Sequence, residues 1–249
     1  MQFLRGGTTE IVASAAGRDF IETDVGQHSL FTSVGRAMPY FKVTHWAKSF
    51  ERLALPFKDD KGRKWNDYDS KSIQGTRDLG ITIIQTPGHT PDELAWYDHA
   101  ENHLYVGDSF YEEGPDGMAI IWPSHGNLVE WHFSMLKLQS FIDSQNASLR
   151  LAAEREQEED QLDFELVSAR VKVGCGHQTS AADGEDLMVA LMAFWQRVLD
   201  GKVPVVKSRK VVGEVTDTWA EEGQDVKLSF RAPRRLMVEA RRFFDVGEV

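Results

Sequence analysis

An α/β layered fold is predicted by three observations. Short runs rich in β-branched residues end at glycine breaks, amphipathic helical stretches follow them, and strand and helix alternate along most of the 249 residues. The hydrophobic fraction of 41% is enough to furnish a substantial core, and no linker or internal repeat divides the chain, so residues 1–249 are expected to form one domain.

The elements follow in order. "EIVASAA" predicts a short buried strand and "GRDFIETD" a single helical turn after it. From His28 to Lys71 neither period is sustained, and Phe31, Tyr40, Phe41, Trp46, Phe50, Trp65 and Tyr68 are scattered among charges and glycines, which predicts an irregular insertion with a packed aromatic patch. Regularity returns at "LGITIIQTPG" and continues through "ELAWYD", "HAEN" and "HLYVGD", a pattern of strand, hairpin, strand. In "GNLVEWHFSMLKLQSFIDSQNA", Leu128, Trp131, Met135, Leu138 and Ile142 recur at spacings of 3, 4, 3 and 4, and Asn127 with Glu130 has the form of a capping box. The acidic stretch "AEREQEEDQLDFE" reads as a solvated helix or loop. "ARVKVGCGHQTS" predicts a strand. Leu187, Leu191, Phe194 and Val198 mark a second amphipathic helix that stops near Gly201, and residues 202–249 hold two strands, "VVGEVTDTW" and "VKLSFRA", and a basic closing helix from Pro233 to Phe244.

Three polar residues share one context. His89 follows "ITIIQTPG", Asp108 follows "LYVG", and His177 follows "VKVGCG", so each comes directly after an apolar strand and a glycine. A sharp turn at glycine brings the next residue onto the loops above the strand ends, where α/β proteins place their sites. Imidazole and carboxylate suit zinc, manganese or iron. A single histidine of this kind is more often a turn residue bonded to backbone, but three such units together point to one metal centre. Tyr111 and His125 are candidates to line a substrate mouth beside it. Cys175 is read as a small buried strand-end residue, and His28, His45, His99, His103 and His132 as surface or packing residues.

Through "TPGHTPDELAWYD", "LYVGDSF" and "VGCGH", in this order and spacing, the chain resembles the metallo-β-lactamase-fold hydrolases, most strongly over residues 10–201. The resemblance implies an αβ/βα sandwich with a site for one or two metal ions, zinc foremost, at one rim. It implies that His89 ligates one metal, His177 the other, and that Asp108 bridges them. It also implies hydrolysis of a small ester, thioester, lactone or lactam by metal-activated water.

The His-x-His-x-Asp-His motif that completes such centres occurs nowhere in the chain. One register sets Ala15, Gly17 and Phe20 in place of its histidines around Asp19. The register preferred from the sequence makes Glu10 to Ser14 a later strand, with Met1 to Leu4 in a helical or frayed segment and Ala15 to Phe20 away from the cleft. On that register the fold is expected to be N-terminally incomplete and turnover to be impaired. The alternative is a catalytically inactive protein of binding or scaffold type.

Composition narrows the partners. The balance of 39 acidic against 28 basic residues, a net charge of −11, disfavours nucleic acid and anionic membrane surfaces and favours a neutral or cationic small-molecule substrate. It also counts against a nuclease of the same superfamily. The single cysteine rules out a disulfide within the chain, and no signal pattern or long apolar window is present, so a cytoplasmic location is expected.

Overall fold

The computed structural model describes residues 10–29, 31, 34–37, 41–56, 76–111, 119–160, 170–177, 181–211, 213–220 and 228–247. Its principal sheet has six strands in the order β3-β4-β5-β6-β8-β9. These are β3 (Arg52–Pro56), β4 (Thr76–Gln85), β5 (Leu94–Asp98), β6 (His103–Gly107), β8 (Lys172–Cys175) and β9 (Ala182–Asp183). β5 runs antiparallel to β4 and to β6, and β6 runs parallel to β8. The C-terminal ends of β4, β6 and β8 therefore share one rim with the first residue of β5.

A second sheet has the order β10-β11-β12-β7, from β7 (Ile120–Ile121), β10 (Val205–Val211), β11 (Glu214–Ala220) and β12 (Ser229–Pro233). The chain opens with β1 (Val12–Ser14), paired parallel with β2 (His45–Ala47), and two short helices, α1 (Arg18–Thr23) and α2 (Val25–His28), lie between them in sequence. The expected strand from Glu10 to Ser14 is present in its second half. The segment from His28 to Lys71 is less irregular than its composition suggests, because β2 and β3 form within it. Their short, mixed sequences "HWA" and "RLALP" carry no sustained alternation, and partners distant in sequence hold them in place. The expectation for Met1 to Leu4 falls outside the described residues.

Three longer helices complete the chain: α3 (Leu128–Asp160), α4 (Gly184–Leu199) and α5 (Arg234–Phe243). α3 continues into the acidic stretch, so that part of it is helical. Its apolar positions Leu128, Trp131, Met135, Leu138 and Ile142 are buried in one core with Ile84, Leu104, Val106 and Val173 of the six-stranded sheet and Trp219, Phe230 and Ala232 of the second. The ring of Phe230 is the hub, with Trp122, Trp131, Phe194 and Trp195 packed round it at centroid distances of 4.9 to 5.8 Å. Two mixed sheets with helices packed on them make an α/β sandwich of the general type the sequence predicts. Cys175 is buried at the end of β8.

Candidate functional site

The loop between β4 and β5, "TPGHTPDE", is stitched to α3. Asn127 caps that helix through its side chain, accepting from the amides of Val129 and Glu130 at 3.0 and 3.1 Å. The reciprocal half of the capping box is absent, because the Asn127 amide donates instead to the Gly88 carbonyl at 2.7 Å. Ser134 donates to the carbonyl of Pro87, and Lys137 to that of Gln85, each at 2.7 Å. Gly88 has φ +146°, and a Cβ there would collide with the Trp131 backbone, so this close docking requires glycine. His89 is thereby fixed at the rim.

Asp108 and His177 reach the same rim from β6 and β8. His177 Nε2 lies 3.3 Å from Asp108 Oδ1, and the Tyr111 hydroxyl donates to the same oxygen at 3.1 Å. The Tyr111 and His177 rings meet edge to face at 5.2 Å. Burial first, and then the Asp108 charge, push the Tyr111 phenol far above its ordinary value, so it serves as a donor. The two strand ends approach closely at Gly176, whose amide donates to the Gly107 carbonyl at 2.7 Å and where a Cβ would meet Asp108 Oδ1 at 2.6 Å. Asp108 and His177 keep 40% and 49% of their side-chain surface open to solvent, so their pairing stabilises the fold little, but both stay accessible to a ligand.

His89 is differently placed. Its Nε2 is 2.7 Å from the Ile121 carbonyl and its Nδ1 is 3.3 Å from Glu93 Oε2, and both partners are acceptors. Nε2 therefore donates to the Ile121 carbonyl, and Nδ1 faces Glu93, which favours the charged imidazolium. Burial opposes that charge, but the Glu93 hydrogen bond and the charges of Glu93 and Asp108 outweigh it and raise the His89 pKa above its ordinary value. Glu93, the residue just before β5, links the rim, because its other oxygen accepts from the Asp108 amide at 3.0 Å. Its sequence signal was weak, a carboxylate four residues after His89.

The segment 15–20 borders this site. Gly17 packs against the backbone of Asp92, in the loop that holds His89, so closely that no side chain fits there. The Phe20 ring stacks on His28 at 3.9 Å and lies 4.8 Å from His125. Residues 15–20 thus lie beside the loop that holds His89, nearer the rim than expected. The cause is that the turn after β1 docks on the "TPGHTPD" loop through the bare Gly17 backbone. Asp19 is exposed. His125 is half-buried, and burial first, with the His28 and His89 charges adding to it, lowers its pKa. Other histidines have structural partners: His45 meets Glu51, His99 meets Thr82, and His132 accepts from the Trp195 indole.

A metal centre of the expected kind needs His89, Asp108 and His177 to turn lone pairs to a common point. Asp108 and His177 converge, but His89 spends both ring nitrogens on protein acceptors. Among the described residues, no group of three or more His, Cys, Asp and Glu side chains could hold a metal ion. Among the described residues, the donor set at this rim does not fit a two-metal site. Among the described residues, no helix is long and apolar enough to cross a membrane.

No protein-family profile matches the chain. Among curated proteins it is similar to one of Aspergillus versicolor named as the transcription factor avaE, 24% identical over 141 residues, which are 55% of this chain and 33% of that protein. It is also similar to the lactamase-like protein GME11357 of Pestalotiopsis microspora, 25% identical over 142 residues, 48% of this chain and 43% of that one. The chain thus spans less than half the length of the curated relatives it matches. Solved structures that resemble it include a metallo-beta-lactamase family protein from Thermus thermophilus, with a TM-score of 0.42 and 15% identity over 84% of this chain and 60% of that one. A metallo-beta-lactamase from Pontibacter korlensis gives a TM-score of 0.33 and 11% identity, with 76% and 69% covered. These structural neighbours are metallo-β-lactamase-fold proteins, distant in sequence.

Proposed function

We propose that the chain is a metallo-β-lactamase-like protein, related to metal-dependent hydrolases of small esters, thioesters, lactones or lactams, whose own rim is impaired for metal-assisted turnover and acts by binding a small molecule. The observation that carries this reading is that both His89 ring nitrogens lie against protein groups, Nε2 against the Ile121 carbonyl and Nδ1 against Glu93. Zinc, manganese or iron would find only Asp108 and His177 turned toward one point among the described residues. Fewer than three protein ligands give weak binding.

The name of the second curated relative accords with this reading. A DNA-bound role of the kind the first relative's name describes meets a chain of net charge −11, which repels phosphate, so nucleic acid and anionic membranes are not proposed as partners.

The test is metal analysis by mass spectrometry after zinc loading, run beside ester and lactone hydrolysis by the chain and its His89→Ala variant. The expected result is well under two metal equivalents and equal rates for both. Stoichiometric metal with turnover that depends on His89 would overturn the proposal.

A further inference from the structure

The outer face of the second sheet holds a cleft. The pairing register sets Arg209 beside Thr216 and Thr216 beside Pro233, while Thr218 pairs with Arg231 and Arg231 with Ile121. Arg209, Thr216, Arg231, Pro233 and Ile121 consequently lie on one face, and Phe230 and Ala232 turn to the core on the other. The chain leaving β7, Trp122 to Ser124, folds along this face and encloses about 620 Å³ with Val211 and Glu214. Its position is fixed by the Trp122 amide donating to the Arg231 carbonyl at 2.8 Å and by Arg235, which bonds both Glu214 and the Ser124 carbonyl.

The charges here are unbalanced. Glu214 is engaged by Arg235 at 2.7 Å. Among the described residues, no carboxylate pairs with Arg209 or Arg231, although the whole chain is acidic. Arg231 Nε is buried with no hydrogen-bond partner among the described residues, and so is the Trp122 indole nitrogen. A buried guanidinium donor without an acceptor is costly, and a planar oxyanion is its natural complement. Arg209 and Arg231 line the same cleft, and burial first, then the Arg209 charge, lower the Arg231 pKa. Of the other lining residues, Ile121, Pro123, Val211 and Pro233 are apolar, and Ser124 and Thr216 are polar and uncharged.

We propose that this cleft binds a small organic acid, a carboxylate on a compact apolar body, with Arg231 and Arg209 holding the oxyanion and Ile121, Pro123 and Val211 the apolar part. The cleft is lined by different side chains from the rim, to which it connects where the Ile121 carbonyl meets His89. Desolvated charge on both partners makes the interaction selective for the anion over its neutral isostere.

Calorimetric titration of the full chain at low ionic strength, with a chelator present, tests this with benzoate, benzamide and inorganic phosphate as probes. Benzoate is expected to bind at one equivalent, and benzamide and phosphate each about tenfold more weakly or worse. Arg209→Ala, at an exposed position on an edge strand, is expected to keep the parent melting temperature and lose about tenfold in benzoate affinity, and Arg231→Lys to lose affinity despite keeping its charge. Equal binding of benzoate and benzamide, or unchanged benzoate affinity in Arg209→Ala, would overturn the site. Tighter binding of phosphate than of benzoate would overturn the assignment to a carboxylate with an apolar body.

Discussion

His89 Nε2 lies 2.7 Å from the carbonyl oxygen of Ile121, joining the loop after β4 to β7 of the other sheet. A carbonyl oxygen only accepts, so this contact fixes a proton on Nε2 and leaves Nδ1 as the ring's second contact, which faces Glu93. The histidine that the family resemblance makes a metal ligand is here a bracket between two sheets.

It follows that His89→Ala destabilises the metal-free protein. The substitution removes one partner from the Glu93 carboxylate, which is only 11% exposed, and the imidazole donor from the Ile121 carbonyl, at a cost of about 1–3 kcal/mol. Urea unfolding in the presence of a chelator measures it. A histidine that served only as a metal ligand would show no loss under those conditions.

Gly88→Ala is expected to be more disruptive than its size suggests. The position has φ +146°, and the added methyl would meet the Trp131 backbone, so strain of about 1–3 kcal/mol adds to displacement of the loop from α3. A lowered melting temperature, with weakened protection of the Asn127 amide that bonds Gly88, is the expected result. An unchanged melting temperature would mean that the loop and α3 are not docked in this way.

These two residues also mark how far the sequence could be read. The units at His89, Asp108 and His177 were legible because a β-branched run ending at glycine is a local signal, and α3 was legible because its apolar spacing runs through Leu128 and Ile142. Glu93 was not, since its role depends on β4, β5 and β6 lying side by side, which no local pattern encodes. The docking of Gly17 on Asp92 was missed for the same reason: a glycine chosen for close approach looks like any turn glycine. The capping box at Asn127 and Glu130 was half right, because the competing acceptor, the Gly88 carbonyl, comes from 39 positions earlier in the chain.

Trp131 joins the site to the core. Its indole donates to the Ser109 carbonyl at 2.6 Å, and its ring meets Trp122, Trp195 and Phe230. Trp131→Phe keeps most of the packing and leaves the carbonyl without its donor, for a loss of about 1–3 kcal/mol. Trp131→Ala should cost about 3–5 kcal/mol through the cavity it opens. Chemical denaturation of both variants gives the two values, and equal losses would show that the hydrogen bond contributes nothing separable from the ring.

Acid stability should report on Asp217. Its side chain is 2% exposed in β11, and it accepts from Arg234 Nε and Nη2 at 2.6 and 3.0 Å and from the Ser208 hydroxyl at 2.6 Å. The Arg234 hydrogen bond holds the carboxyl below its ordinary value, against burial, which pushes the other way. A carboxyl whose folded pKa is depressed contributes stability that is complete above the unfolded value, about 3.9 for aspartate, and is lost as pH falls through the folded value. The Asn variant, Asp217→Asn, keeps the shape and cannot ionise. At pH 5 to 7 the parent should be more stable than this variant by a constant margin, and below about pH 4 the margin should shrink. Comparing the two chains by difference cancels the background of the other acidic groups. Denaturation midpoints across that range check the sign, and a margin that stays constant or widens in acid would show that Asp217 is not ionised beside Arg234 in the folded protein.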